Sequence, residues 1–157
     1  MRKRIIEPTQ QITEEIDQPW LNLEEIAQVE ITSELEGFPI ESALALPSDA
    51  SWRAASAGEQ TIRLLFDEPR SLSLIRLLFE EEAQERTQEF VLRYSCDAGQ
   101  NYHDITRQQY NFSSPDSTRE LESYNVDVHG VTALELIITP DINGGNAHAS
   151  LSQWAVA

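Results

Sequence analysis

The chain has 157 residues, a length typical of one domain, and its 27 acidic and 11 basic residues give a formal net charge of −16. This charge repels phosphate backbones and anionic lipid, which argues against nucleic-acid binding and against adhesion to a membrane surface. A single cysteine excludes an internal disulfide, and three scattered histidines disfavour a zinc site made of sequence-local ligands.

The first 19 residues are polar and contain two prolines, which is typical of a tail or of an arm that wraps a domain. The basic residues 2–4 are followed by Glu7 and Pro8 instead of the apolar run of a signal peptide. No stretch approaches the roughly 18 consecutive apolar residues of a membrane span. We therefore expect a tail or arm over residues 1–19, a single domain over residues 20–157, and a cytoplasmic location.

The first part of the domain alternates between short strands and breakers. Residues 20–26 have apolar side chains three apart, which predicts a short helical turn, and residues 27–32 alternate as a first strand. Proline, glycine, serine and aspartate interrupt residues 34–57, so a long loop with apolar anchors is predicted there. Alternation returns at residues 60–66, and residues 72–79 predict a more deeply buried strand.

The clearest strand is residues 89–95, because apolar and polar side chains alternate there with a period of two. Three of its side chains are expected to face a core, namely Phe90, Leu92 and Tyr94. Asp97 and Gly99 favour a tight turn, since aspartate bonds its own backbone and glycine accepts a positive φ. Residues 102–105 resume an extended pattern, so this part of the chain predicts strand, turn and strand.

The remaining sequence continues in the same manner. Residues 106–118 are rich in turn formers, and strands are predicted at residues 124–128, 134–138 and 151–156. A loop with two glycines at residues 141–146 precedes the last strand. About eight short strands and no long helix predict an all-β protein, built as an antiparallel β-sandwich or jelly roll.

The Tyr-Ser-x-Asp-x-Gly pattern of residues 94–99, with apolar strands at 74–77, 134–138 and 149–154, resembles the discoidin, or coagulation factor 5/8 type C, family. The resemblance covers most of the chain, from about residue 27 to residue 157. It implies a galactose-binding-like jelly roll, similar to the family 32 carbohydrate-binding modules. It also implies a non-catalytic module that binds carbohydrate through loops at one end of the sandwich.

Many members of that family hold a structural calcium ion in an acidic, glycine-containing loop after the first strand. The resemblance places this loop at residues 47–52, where it is reduced, and it places Gln153 where a glutamate often completes the cation site. We therefore expect no metal and no cofactor, and structural calcium is disfavoured although oxygen ligands abound.

Sugar recognition needs forked polar groups for hydroxyls and an aromatic face for the apolar side of the ring, held in a concave site. The densest such group lies in the turn-rich segment after the central hairpin, joined by an arginine and a tryptophan from other connections. The predicted ligand-binding residues are Arg86, Arg107, Gln108, Gln109, Tyr110, Asn111, Phe112 and Trp52. The sequence does not decide which of the loops 80–88, 106–114 and 140–148 share a pocket.

The same residues have a structural interpretation. Arg86 and Arg107 would then neutralise the acidic loop at residues 80–85, while Tyr110 and Phe112 would belong to the core.

No catalytic residues are predicted. His103 and Asp104 are adjacent on a strand and therefore point to opposite faces, and no serine lies on a Gly-x-Ser-x-Gly turn. The sequence thus predicts a carbohydrate-binding protein rather than an enzyme. The alternative is a protein-interaction or assembly domain whose loops contact another protein.

Overall fold

The computed structural model describes residues 20–46 and 49–157, and the predicted arm at residues 1–19 lies outside this part of the chain. The elements are α1 (Leu23–Ile26), β1 (Ala27–Ile31), α2 (Glu41–Leu44), β2 (Trp52–Ala57), β3 (Gln60–Glu80), β4 (Arg86–Ser95), β5 (His103–Phe112), β6 (Arg119–Thr139), β7 (His148–Leu151) and β8 (Gln153–Val156). Strands pair antiparallel throughout these ranges, which confirms the predicted all-β sandwich. None of the helices in the described ranges has the length and apolarity to span a membrane.

β3 and β6 are the longest strands, with 21 residues each, and they pair with one another along most of their length. The sequence predicted two strands in place of each. Their register shifts between Leu65 and Leu74, and Pro69 lies in this interval, where its missing N–H is tolerated because the ladder is already interrupted. The predicted break in β3 is therefore a bulged region within one long strand.

The two halves of the paired strands β3 and β6 contribute to two facing layers. The strand order is β1-β3-β6-β4-β5, with β8 paired to the second half of β3 and with β2 and β7 forming a separate pair. Across the interior, the rings of Phe79 on β3 and Phe90 on β4 have centroids 5.1 Å apart. Phe90 and Leu92 have no exposed surface and Tyr94 packs against the core, so the predicted inward face of the central strand is confirmed.

Two segments that the sequence predicted as irregular are strands. Residues 52–57, within the predicted loop 34–57, form β2 and pair only with β7. Residues 106–112, predicted as turn-rich, complete β5, which pairs with β4 along its length at the edge of the large sheet. Periodicity detects strands with one face buried along their length, whereas both faces of β5 are open to water in its middle and β2 has a buried face only in its first half.

The turn after the central strand is built by the residues that carry the family resemblance. The hydroxyl of Ser95 donates to Asp97 Oδ1 at 2.7 Å, and the backbone N–H of Asn101 donates to the same oxygen at 2.8 Å. Hydrogen bonds from Asn101, followed by that from Ser95, lower the pKa of Asp97 to about 2. Ala98 and Gly99 have φ angles of 59° and 85°, so the predicted Asp-Gly turn is confirmed.

Candidate functional site

Three connections of the sandwich meet at one end, which we call the loop end: residues 81–85, 113–118 and 140–147. The backbone N–H of Glu81 donates to the carbonyl oxygen of Thr118 at 2.9 Å. The N–H of Ile142 donates to the carbonyl oxygen of Thr87, also at 2.9 Å. The three loop regions singled out from the sequence therefore begin or end side by side.

Arg86 joins these connections from inside the sandwich. It is 2% exposed, and its Nε donates to Glu81 Oε1 at 3.0 Å while its Nη1 donates to the carbonyl oxygen of Pro140 at 2.8 Å. Its guanidinium carbon lies 4.8 Å from the centroid of the Phe112 ring, which has no exposed surface. Arg86 and Phe112 therefore brace the loops from beneath, as the structural interpretation of the sequence had it, and present no surface to a ligand.

The other predicted residues of this group lie on β5, an edge strand, and not in a loop. Arg107, Gln108, Gln109 and Asn111 are exposed, and Arg107 Nη1 donates to Glu89 Oε1 at 3.1 Å. Tyr110 is half-buried and meets the Phe112 ring edge-on, with centroids 4.9 Å apart. Because successive side chains of a strand point to opposite faces, these residues do not converge on one ligand. The binding role of the exposed ones stays a prediction.

Trp52 has no exposed surface, and its indole Nε1 donates to the carbonyl oxygen of Ser33 at 3.1 Å. Its ring packs in the core behind the wall of the cleft described next, so its flat face is not available for stacking. Of the eight predicted residues, Arg86, Phe112 and Trp52 are thus buried, and the other five lie on the edge strand β5.

A cleft of about 400 Å³ opens beside the connection between β3 and β4, and we call it the end cleft. Its walls come from the segment that enters β2, from the end of β3 with the following loop, and from the junction of β7 with β8. The lining residues are Asp49, Ala50, Ser51, Arg53, Leu78, Glu80, Glu81, Glu82, Ala83, Ser150, Ser152 and Gln153. Only a concave site of this kind can surround a small polar ligand.

Among the residues that the structure describes, Arg53 is the one cation that lines the end cleft. Its guanidinium carbon lies 5.7 Å from the centroid of the Phe38 ring, which is 39% exposed. No ion pair of Arg53 is found within residues 20–46 and 49–157. Its N–H groups are therefore available to donate to a ligand, and the Phe38 ring lies within cation–π distance of the guanidinium.

The opposite wall of the end cleft is acidic. Glu81 is 8% exposed, and both of its carboxylate oxygens are held, one by Arg86 and the other by the backbone N–H of Ala83 at 3.3 Å. Glu80 and Glu82 on either side of it are exposed. The wall therefore carries one carboxylate that is held by hydrogen bonds and two that are exposed. All three are hydrogen-bond acceptors.

The floor of the end cleft combines small polar groups with an apolar strip. Ser150 lines the cleft and is 4% exposed, and its hydroxyl can both donate and accept. Leu78 lies on the same lining and is the cross-strand neighbour of Leu121, which is 41% exposed. Donors, acceptors and apolar surface are thus available together, which is what a ring with several hydroxyl groups requires.

A second opening of about 420 Å³ lies at α1 and α2 and is lined by Trp20. Its other polar side chains are Asn22 and Glu24, and the rest of the lining is apolar or alanine. It offers fewer donors and acceptors than the end cleft, so the end cleft is the stronger candidate for a polar ligand.

The residues of the end cleft do not fit a structural calcium ion of the kind that many members of the resembled family hold. Asp49 and Gln153 line the cleft as the resemblance implies, but the Arg53 guanidinium lies in the same space and opposes a cation. Within the described residues, no three His, Cys, Asp or Glu side chains form a group suited to a metal ion.

The sequence interpretation missed a pair of glutamates on β6, of which Glu120 is buried and Glu122 is half-buried. Glu120 is 2% exposed and accepts a hydrogen bond from Gln88 Nε2 at 3.2 Å. The pKa of Glu120 is raised to about 8, chiefly because the side chain is buried and secondly because of a hydrogen bond with Glu122. The two glutamates are two residues apart on β6, and this spacing is the sequence signal that could have placed them on one face.

Several solved structures that match this fold are carbohydrate-binding modules. The family 32 module of Clostridium perfringens NanJ, in complex with galactose, matches with a TM-score of 0.65 at 12% identity over 87% of this chain and 96% of that chain. CpGH89CBM32-5 of Clostridium perfringens, in complex with GalNAc-β-1,3-galactose, matches with a TM-score of 0.66 at 17% identity, over 87% and 98%. The fold is that of the family 32 carbohydrate-binding modules.

A third structure with the family 32 fold is the module of AlyQ in complex with 4,5-unsaturated mannuronic acid. It matches with a TM-score of 0.58 at 16% identity, over 84% of this chain and 95% of that chain. No protein-family model matches the sequence, and no curated protein matches it. The likeness therefore concerns the family 32 fold, and the residues of the end cleft have to be judged by their own chemistry.

Proposed function

We propose that the protein is a non-catalytic carbohydrate-binding module that holds a sugar in the end cleft. The observation that carries this proposal is the cleft itself, a space of about 400 Å³ that is lined by an arginine without an ion pair in the described residues, by one carboxylate held in place and by two exposed carboxylates. The family 32 fold supports it, since neighbours with this fold were solved with galactose and with GalNAc-β-1,3-galactose.

The chemistry of the cleft suits hydroxyl groups, each of which both donates and accepts. Arg53 supplies donors only, Glu80 and Glu81 supply acceptors only, and the Ser150 hydroxyl supplies both. Charge-assisted hydrogen bonds of this type are about twice as strong as neutral ones. The apolar edge at Leu78 gives the carbon face of a sugar ring a surface to cover.

The cleft is also held in place before any ligand arrives. Arg86 is fixed by Glu81, Pro140 and Gln88 at 3.0, 2.8 and 3.1 Å, so the loop that carries Glu81 is tied to the interior of the sandwich. A wall that needs no ordering on binding loses less free energy to conformational entropy.

The alternative of a protein-interaction domain has weaker support. Large apolar side chains that are exposed in the described residues are Phe38, Leu121 and Ile142, and they lie on three different parts of the chain. An interface core needs a contiguous apolar patch.

Calorimetry with the Arg53→Ala variant tests the proposal. A panel of neutral and amino sugars that includes galactosides is titrated into the whole chain to find a ligand. Loss of a charge-assisted hydrogen bond of about 1.5–3 kcal/mol should then weaken binding of this ligand by at least about tenfold in the variant.

Arg107→Ala is the matched control, because it removes the same guanidinium from the exposed face of β5. We expect it to bind as the unchanged protein does. Loss of binding in Arg107→Ala with retention in Arg53→Ala would move the site to the edge strand that the sequence predicted. An absence of binding to every sugar at about millimolar concentration would remove the proposed function.

A further inference from the structure

A row of buried polar side chains connects the end cleft with the interior of the sandwich. Arg86 Nε donates to Glu81, which lines the cleft, at 3.0 Å. Arg86 Nη1 donates to Gln88 Oε1 at 3.1 Å, and Gln88 Nε2 donates to Glu120 Oε1 at 3.2 Å. Arg86, Gln88 and Glu120 are each at most 2% exposed. A continuous set of hydrogen bonds, which we call the polar row, therefore runs from Glu81 to Glu120.

Two atoms of the polar row have no hydrogen-bond partner among the residues that the structure describes. They are Arg86 Nη2 and Glu120 Oε2, and both are buried. A guanidinium N–H donates and a carboxylate oxygen accepts, so the two atoms are complementary. Since Gln88 bonds to both side chains, only one side chain bridges Arg86 and Glu120. Arg86 therefore has a second carboxyl group close by, besides that of Glu81.

The surroundings of Glu120 decide whether it competes for Arg86. The titratable or charged side chains around it are Glu122 and Tyr124 on β6, Arg86 on β4, Tyr110 on β5 opposite Gln88, and, through Arg86, Glu81. Its cross-strand neighbour on β3, Phe79, is apolar. Burial first and the hydrogen bond with Glu122 second raise the pKa of Glu120 to about 8, against a lowering by the charge of Arg86. Glu120 is therefore mostly neutral at neutral pH, and Arg86 stays with Glu81.

Resting on the proposed function, we propose that Glu120 regulates the end cleft: when Glu120 loses its proton, Arg86 exchanges Glu81 for Glu120 and the cleft wall is released. A buried carboxylate without a counter-charge is strongly disfavoured, so ionised Glu120 attracts the nearest guanidinium. Glu81 then keeps only the hydrogen bond from the N–H of Ala83. A wall that has to be ordered on binding costs free energy. Because the neutral form of Glu120 favours binding, sugar affinity is full at neutral pH and falls as the pH rises through about 8.

Nuclear magnetic resonance tests the exchange of partners without any sugar. The carboxyl carbons of Glu81 and Glu120 and the Nε–H of Arg86 are followed from about pH 6 to about pH 9.5. We expect all three signals to move with one midpoint. In Glu120→Gln the signals of Glu81 and Arg86 should stay in place over this range. In Glu122→Gln the midpoint should move to lower pH, because Glu122 helps to raise the pKa of Glu120.

Calorimetry with galactose, a neutral sugar, tests the effect on the cleft. The unchanged protein should bind it at least about fivefold more weakly at pH 9.5 than at pH 7, the lower end of typical coupling between two sites. Since coupling is reciprocal, binding near pH 8 should take up protons, which buffers of different ionisation enthalpy reveal. Glu120→Gln should bind equally at both pH values without proton uptake. Glu85→Gln, which removes an exposed acid of the loop outside the cleft lining, should behave as the unchanged protein.

The outcomes separate this inference from the proposed function. Signals of Glu81 and Arg86 that stay in place while Glu120 titrates would overturn the exchange of partners. Sugar affinity that is constant with pH, or that falls equally in Glu120→Gln, would overturn the regulation and leave a carbohydrate-binding module. Failure of galactose and of every other sugar to bind at pH 7 would overturn the proposed function and with it the regulation, whereas the resonance titration would still decide the exchange. Circular dichroism at each pH verifies that the chain is folded.

Discussion

Glu120 shows how a single residue couples stability to pH. The residue is 2% exposed, and no hydrogen-bond partner of its Oε2 is found in the described part of the chain. Burial raises its pKa to about 8 from the ordinary 4.5. Because the folded-state pKa is raised, the stability contributed by Glu120 is complete below its ordinary pKa and is lost as the pH rises through about 8.

The variant Glu120→Gln tests this coupling, because glutamine is neutral at every pH and keeps the shape of the side chain. We expect its free energy of unfolding to exceed that of the unchanged protein at about pH 9, by an amount on the order of 1–3 kcal/mol. Between about pH 5 and pH 8 its stability should also fall less steeply. Urea unfolding measures both, with the exposed Glu82→Gln as control; parallel pH profiles for all three proteins would contradict the assignment.

Arg86 illustrates which residue-level features the sequence could have revealed. The inward face of β4 was correctly predicted from Phe90 and Leu92, and counting back by twos along the same strand reaches Gln88 and Arg86. The strand period therefore placed Arg86 inside the sandwich, but a charged side chain is normally assigned to the surface. Only its partners, Glu81 and the carbonyl oxygen of Pro140, make burial acceptable, and those contacts are not visible in one sequence.

At the scale of elements, a row of charges holds three neighbouring strands of the large sheet. Glu135 on β6 is 2% exposed and lies opposite Arg63 on β3 and Arg93 on β4. Arg63 Nε donates to Glu135 Oε2 at 2.7 Å, and Arg93 Nε donates to Glu135 Oε1 at 3.0 Å. The hydrogen bond to Glu135 is the largest cause of a raised pKa at Arg63. One carboxylate thus accepts hydrogen bonds from two guanidinium groups across the strand pairs.

Removing this carboxylate should weaken the sheet. In Glu135→Ala, Arg93 loses its ion pair and Arg63 keeps only the longer one with Glu30 at 3.8 Å, although partial exposure of both arginines lets water screen them. We expect a loss of about 1–3 kcal/mol in the free energy of urea unfolding. Glu89→Ala removes the exposed ion pair with Arg107 and should cost less than about 1 kcal/mol. Equal effects of the two variants would show that the row does not contribute to stability.

The strands themselves were predictable only where one face is buried and the other is wet. The central strand, β1 and the two halves of β3 have that pattern, and the sequence located them. β5 was missed as a full strand because both faces of its middle are open to solvent, so its polar side chains suggested a loop. The bulged continuity of β3 through Pro69 depends on pairing with β6, which is a long-range contact.

For the whole molecule, repulsion among the charges that make up the net charge of −16 lowers the stability of the folded state. Raising sodium chloride from about 10 mM to about 150 mM shortens the screening length to about 8 Å. We therefore expect the midpoint of thermal unfolding, followed by circular dichroism, to rise over this range. A decrease would mean that screened attractive pairs, such as those of Glu135, outweigh the repulsion.

The end cleft shows why a site is harder to predict than a fold. Its residues come from segments near positions 50, 80 and 150, and no local spacing connects them. The loop at 80–88, which the sequence singled out, contributes to the end cleft, but the residues that the sequence favoured lie mostly on β5. The cytoplasmic location and the exclusion of nucleic acid and lipid stay predictions that rest on composition.

The burial of the indole rings has a practical consequence for spectroscopy. Trp52 and Trp154 are fully buried and Trp20 lines a different opening, so a ligand in the end cleft would contact none of the three indole rings. Their emission should remain blue and unquenched when the cleft fills. The same signal shifts to longer wavelength when the chain denatures, which makes intrinsic fluorescence a gauge of integrity that occupancy does not disturb.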